Sequence, residues 1–230
     1  MASLSAIRVA ARCQPAKQAL IFLHGLGDSG SGWSFFAEFL QRDPAFQHTN
    51  FVFPNAPVLN ITCNGNYPMP AWFDIREWEE IQSRPDVDGF MKSLDVVRRL
   101  VDEQVQNGIA PENVVVGGFS QGASLALASA VTLPTKIGAF VALSGFSIIN
   151  NKLLEIQNSV NVDTPIFHGH GSADPVISLA MGQSAHRFYT ERCGHSRYTM
   201  KVYPGMEHST SPEEIADLVN FLRSSLNLGQ

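Results

Sequence analysis

A run of valines ends in a glycine-flanked serine: Val114, Val115 and Val116 lead through Gly117 into Gly118-Phe119-Ser120-Gln121-Gly122, and small helix-forming residues follow from Ala123 to Val131. Consecutive β-branched residues with nothing polar on either face suit a strand covered on both sides, which is the interior of a parallel sheet. Glycines two residues either side of Ser120 let the chain reverse tightly and carry the serine at the apex of the turn. Strand, turn and helix together place a hydroxyl at the carboxyl edge of a sheet with a helix N-terminus aimed at it. No other stretch narrows the fold as much, and what it requires is an α/β architecture with a mostly parallel sheet.

The rest of the chain repeats the alternation. Strand patterns fall at residues 7–11, 18–23, 51–54, 139–143, 165–168 and 198–203, the first as a short edge strand. Helices are expected from Trp33 to Gln41, from Val87 onward with Phe90, Leu94, Val97, Val101 and Val105 on one stripe, from Leu179 to Tyr189, and after Ser211. Ser211 is an N-cap with Pro212 at the first helical position and Glu214 completing a capping box. No repeat, linker or composition shift divides the 230 residues, so residues 1–230 read as a single domain with helices on both faces of the sheet and no large separate cap domain.

Composition excludes several function classes. A net charge of −5, with no basic run longer than Arg98-Arg99, offers neither nucleic acid nor an anionic membrane an electrostatic partner. Three cysteines, Cys13, Cys63 and Cys193, are odd in number and unpaired in spacing, so reduced thiols are expected rather than a disulfide framework or a zinc knuckle. No window reaches the ~18 apolar residues of a membrane span, the first eight residues lack a leader pattern, and the last five form no prenylation or peroxisomal signal. A cytoplasmic protein without stable membrane insertion is expected, with the nucleus also allowed.

A serine hydroxyl becomes a useful nucleophile only when a base takes its proton, and the base works best when a carboxylate fixes its tautomer. In a fold with a nucleophile elbow the acid and then the histidine follow the serine, both on loops at the carboxyl ends of strands. Among the acids, Asp163 precedes its strand, Glu155 and Glu191 fall in helical segments, and Glu207 abuts His208. Asp174 remains. Among the histidines, His186 lies in a helix and His195 precedes a strand, which leaves His208, between the last strand and the last helix.

The glycine-rich stretch from His24 to Gly32 directly follows a strand but matches neither nucleotide-binding glycine pattern. It is either a flexible turn or a presenter of backbone N–H groups to an oxyanion. The proline-punctuated segment 55–85 has no sustained periodicity, yet it holds Tyr67, Met69, Trp72, Phe73 and Trp78, too aromatic for disorder. Those side chains either line an apolar pocket or plug the core beneath a loop. His168 and His170 form an H-x-H pair in the loop that leads to Asp174, but no second ligand cluster completes a metal site, so hydrogen-bonded loop supports are expected and no metal.

Taken together, HGLGD at 24–28, MPAWFD at 69–74, GGFSQG at 117–122, HGSADP at 170–175 and GMEH at 205–208 resemble the acyl-protein thioesterase and lysophospholipase family of α/β-hydrolases across nearly the whole chain. The resemblance implies Ser120 as nucleophile, Asp174 as acid and His208 as base, the same three that elimination selects. It further implies an oxyanion hole from the backbone N–H groups of Leu26 and Gln121, and an acyl channel bordered by the loop carrying Trp72 and Phe73, with Met69 beside it. Ala71 stands where family members commonly have serine, and position 168 varies in the family; both departures bear on substrate preference. The implied reaction is acyl transfer to water with no cofactor. Its substrates are S-acylated proteins or lysolipids, and a homodimer is an assembly the sequence leaves open. The rival expectations are a carboxylesterase for small soluble esters and a non-catalytic binding protein of the same fold.

Overall fold

The computed structural model describes residues 5–78 and 81–228, so residues 1–4 and 229–230, on which the readings of the two termini partly rest, lie outside it. In chain order the elements are β1 (Ala6–Val9), β2 (Gln18–Leu23), α1 (Gly30–Trp33), α2 (Phe35–Leu40), β3 (Thr49–Pro54), β4 (Val58–Ile61), β5 (Tyr67–Pro70), α3 (Val87–Gln106), β6 (Val114–Phe119), α4 (Gln121–Thr132), β7 (Ala139–Leu143), α5 (Asn150–Ile156), β8 (Ile166–Gly171), α6 (Leu179–Arg187), β9 (Tyr198–Tyr203) and α7 (Pro212–Ser225). Seven strands form one sheet in the order β1-β3-β2-β6-β7-β8-β9. Within this sheet, among the described residues, the edge pair β1 and β3 is antiparallel and the other ladders are parallel.

Why these apolar runs are strands is visible in where alternate residues go. Ala19, Ile21, Leu23, Val116 and Phe140 pack into one core with α3, α4, α5 and α6, whereas Leu20, Phe22, Val115 and Val141 pack into a second core with α1, α2 and α7. A strand with helices on both sides has no solvent face, so its sequence carries no polar alternation.

Four sequence expectations need correction. The helix expected over Trp33 to Gln41 is two short helices, α1 and α2, separated at Ser34. Gly30 is pressed against β3, where a Cβ would lie 2.2 Å from the Phe53 carbonyl oxygen, so the first turn follows that docking and the helix restarts after it. The segment after Asn55 contains an antiparallel hairpin, β4 with β5, paired from Val58 opposite Pro70 to Ile61 opposite Tyr67. His168 and His170 stand on β8, whose pairing with β9 continues to Gly171, and not in the loop beyond it. Last, Ser211 Oγ does accept from the Glu214 N–H at 3.1 Å, but the Glu214 side chain does not return the bond. It turns inward, 0% exposed and without a partner on either carboxyl oxygen, and lies against Gly169, where a Cβ would meet it at 2.1 Å. Burial pushes the Glu214 carboxyl up to about 8.

Candidate active site

Between β6 and α4, Ser120 holds φ 54° and ψ −115°, a conformation costly for a residue with a side chain. The neighbouring glycines make the turn fit: a Cβ on Gly118 would lie 2.3 Å from the Gly122 carbonyl carbon, and one on Gly122 would lie 2.2 Å from the Leu23 carbonyl oxygen. Strand, helix and β2 thus touch where only glycine leaves room. The Ser120 N–H donates to the Leu143 carbonyl at 2.9 Å, which ties the turn to β7.

His208 reaches this turn from the loop between β9 and α7. Its Nε2 lies 3.1 Å from Ser120 Oγ and its Nδ1 lies 2.7 Å from Asp174 Oδ2. A carboxylate can only accept, so Nδ1 carries the hydrogen and the lone pair on Nε2 faces the serine hydroxyl. The other Asp174 oxygen accepts from the Val176 and Ile177 N–H groups at 2.9 and 2.8 Å. Burial alone would raise the Asp174 pKa, but the His208 hydrogen bond, the Ile177 and Val176 N–H groups and the His208 charge outweigh it and hold the carboxyl below its ordinary value. The Phe119 ring packs against His208 with centroids 4.8 Å apart, fixing the imidazole from the side. Three residues from distant parts of the sequence therefore stand in one hydrogen-bonded row.

The loop after β2 closes over the serine. A Cβ on Gly25 would lie 3.3 Å from Ser120 Cβ, and Gly27 has φ 77°. Gly27 N–H donates to the Pro70 carbonyl at 2.8 Å and Asp28 N–H to the Gly25 carbonyl at 3.3 Å. Among the described residues the Leu26 N–H has no backbone acceptor. Gln121 opens α4, where the first N–H groups have no carbonyl beneath them. His24 braces the loop: its Nδ1 donates to the Gly25 carbonyl at 2.7 Å and its Nε2 accepts from Ala56 N–H at 3.0 Å, while burial depresses its pKa and keeps it neutral. Sequence reasoning took His24 only as part of a motif; the usable signal was a histidine directly after the apolar run Ala19 to Leu23.

Of the two readings open for the aromatic segment, Trp72 and Phe73 take the core, against the channel border that the resemblance implies, and Trp78 takes the cleft. Trp72 and Phe73 are 1% and 0% exposed, and the Phe73 ring packs on Phe90 and Phe146 at 4.9 and 6.5 Å. Trp72 Nε1 donates to the His24 carbonyl at 2.8 Å, and the Gln121 amide accepts from Trp72 N–H at 3.1 Å and donates to the Phe73 carbonyl at 3.0 Å. The pair plugs the core and clamps the elbow to the glycine loop. Met69 lies beside the Gly27 turn. The cleft at Ser120, about 200 Å³, is lined instead by Leu26, Asp28, Trp78, Phe119 and Val176. His168 and His170 have partners on all four ring nitrogens. Among the described residues no group of three or more His, Cys, Asp or Glu side chains is gathered as a metal site.

The family model described as Phospholipase/Carboxylesterase matches residues 4–226. Acyl-protein thioesterase 1 of Saccharomyces cerevisiae is 56% identical over 226 residues, covering 97% of this chain and 100% of that protein. Among solved structures, Arabidopsis thaliana SOBER1 superimposes with a TM-score of 0.85 at 30% identity, over 92% of this chain and 100% of its own. Zea mays acyl-protein thioesterase 2 does so with a TM-score of 0.82 at 28% identity, over 97% and 100%.

Proposed function

The chain belongs to the phospholipase/carboxylesterase family of α/β-hydrolases and is a serine hydrolase; on that premise we propose that residues 1–230 act as one domain that hydrolyses long-chain acyl thioesters, S-palmitoylcysteine of proteins foremost and lysophospholipids besides, through an acyl-Ser120 intermediate. The observation that carries the chemistry is the unbroken row from Ser120 Oγ through His208 to Asp174, with links of 3.1 and 2.7 Å. Ser120 Oγ attacks the thioester carbonyl while its proton passes to His208 Nε2, and Asp174 stabilises the imidazolium. The negative charge that forms on the carbonyl oxygen is received by the N–H groups of Leu26 and Gln121. The thiol leaves with the proton from His208; water, deprotonated by the same nitrogen, then releases the fatty acid and restores the serine. Every step uses side-chain and backbone groups of this chain. Free Cys13, Cys63 and Cys193 support a reducing, cytoplasmic setting.

Cleft size favours a second reading. A volume of about 200 Å³ holds the scissile group and the first few carbons, which suits a carboxylesterase for small esters. On the thioesterase reading the remaining methylenes continue past Trp78 and Val176, whose side chain is 44% exposed. Each methylene that leaves water is worth ~0.8 kcal/mol, so kcat/KM should climb from acetyl to palmitoyl thioesters measured below micelle formation. Trp78→Ala should penalise the long substrates more than the short ones. Efficiency that peaks at acetyl or butyryl and falls equally for all lengths in Trp78→Ala would leave the small-ester carboxylesterase as the better account.

A further inference from the structure

Behind the acid runs a closed row of side chains. Tyr198 Oη lies 2.8 Å from His168 Nδ1, His168 Nε2 lies 3.3 Å from His170 Nδ1, and His170 Nε2 lies 2.8 Å from the Ile177 carbonyl oxygen. Both imidazoles are 0% exposed. A carbonyl only accepts, so His170 must carry its hydrogen on Nε2 and accept at Nδ1. His168 must then donate from Nε2, which leaves its Nδ1 to accept from the tyrosine hydroxyl. Desolvation lowers the pKa of both rings and outweighs the Gly145 carbonyl, which favours the charged form of His168, so neutral rings pass three hydrogens along the row from the tyrosine to the Ile177 carbonyl.

The row ends on the turn that holds the acid. Ile177 is gripped on both sides: its N–H donates to Asp174 Oδ1 at 2.8 Å while its carbonyl accepts from His170. His170 Nε2 itself is 3.9 Å from Asp174 Oδ2, too far to bond it, so the imidazole acts through the turn. Gly182 of α6 is pressed against the ring, where a Cβ would lie 2.6 Å from His170 Nδ1, so the helix packs directly on the imidazole.

We propose that Tyr198, His168 and His170 are positioning residues that fix the turn from Asp174 to Ile177, so that the carboxylate presents Oδ2 to His208; the proposal rests on the triad reading above. The test separates the hydrogen bond from mere packing. In the full chain His170 is replaced by Gln, Asn and Phe, and kcat and KM are measured with a p-nitrophenyl ester. A glutamine amide nitrogen can stand where Nε2 stands; an asparagine amide stands where Nδ1 stands. His170→Gln should keep kcat within about twofold, whereas His170→Asn and His170→Phe should lose on the order of tenfold in kcat with KM unchanged. Equal losses for Gln and Asn would overturn the proposal. The tautomers can be read without any variant, from 15N spectra of histidine-labelled wild-type protein. Hydrogen on Nε2 of both rings is expected, and mixed His168 tautomers in Tyr198→Phe; hydrogen on Nδ1 of His170 would overturn the proposal too. Because that spectrum does not depend on turnover, failure of the triad reading, seen as an active Ser120→Ala, stays distinguishable from failure of this one.

Discussion

Ser120 carries a side chain at a backbone conformation that glycine would adopt more easily, and the turn retains it because the hydroxyl must meet His208. We expect Ser120→Ala and His208→Ala to abolish all but a trace of hydrolysis, and Asp174→Asn to leave a larger remainder, because substrate binding and the backbone oxyanion donors persist. Turnover near wild type in any of the three, measured on a soluble ester, would remove that residue from the row. Ser120 was legible from its flanking glycines, and Asp174 and His208 because each had to satisfy two independent constraints, order after the serine and position at a strand's carboxyl end. Trp72 and Phe73 were not. An aromatic in an aperiodic segment looks the same whether it lines a cleft or fills a core, and only the Gln121 amide, 49 residues from Trp72 along the chain, decides which.

At the level of elements, the loop after β2 and the elbow behave as one body joined by Gln121, Trp72 and His24. Valine at Gly25 would press on Ser120 Cβ, and valine at Gly27 would have to hold φ 77°. We expect either replacement to cost on the order of a hundredfold in kcat by displacing one oxyanion donor, with the fold checked by circular dichroism. Gln121→Ala should lower kcat while leaving the α4 backbone intact, since it cuts the clamp and not the helix. The sheet was readable from runs of apolar residues, but the end of β8 was not: Gly169 and Gly171 interrupt that pattern, and they are needed because Glu214 and the Met206 carbonyl occupy the space a Cβ would fill. The β4–β5 hairpin escaped for a related reason, its prolines at positions 68 and 70 hiding a strand at the edge of a two-stranded ribbon.

For the molecule as a whole, Glu214 links stability to pH. Its carboxyl is raised from 4.5 to about 8 in the folded chain, so above the unfolded value the unfolded chain gives up a proton that the folded chain keeps. Stability is therefore full at low pH and declines as pH rises through the folded value, by up to about 1.4 kcal/mol per pH unit from this group. Glu214→Gln removes the ionisation, and its Tm should gain on wild type steadily between about pH 5 and pH 8; a constant difference would mean that the carboxyl is not neutral in the fold. The strand order has a consequence of a different kind. β2 is buried throughout, apolar from Ala19 to Leu23, and sits between β3 and β6, yet β6 begins only at Val114. On a translating ribosome, adding ~5–20 residues per second, β2 keeps one hydrogen-bonding edge open for on the order of ten seconds before its second neighbour exists. During that interval the strand that leads into the glycine loop over Ser120 is a half-paired ribbon, an exposed edge of the kind that makes a nascent chain prone to aggregation.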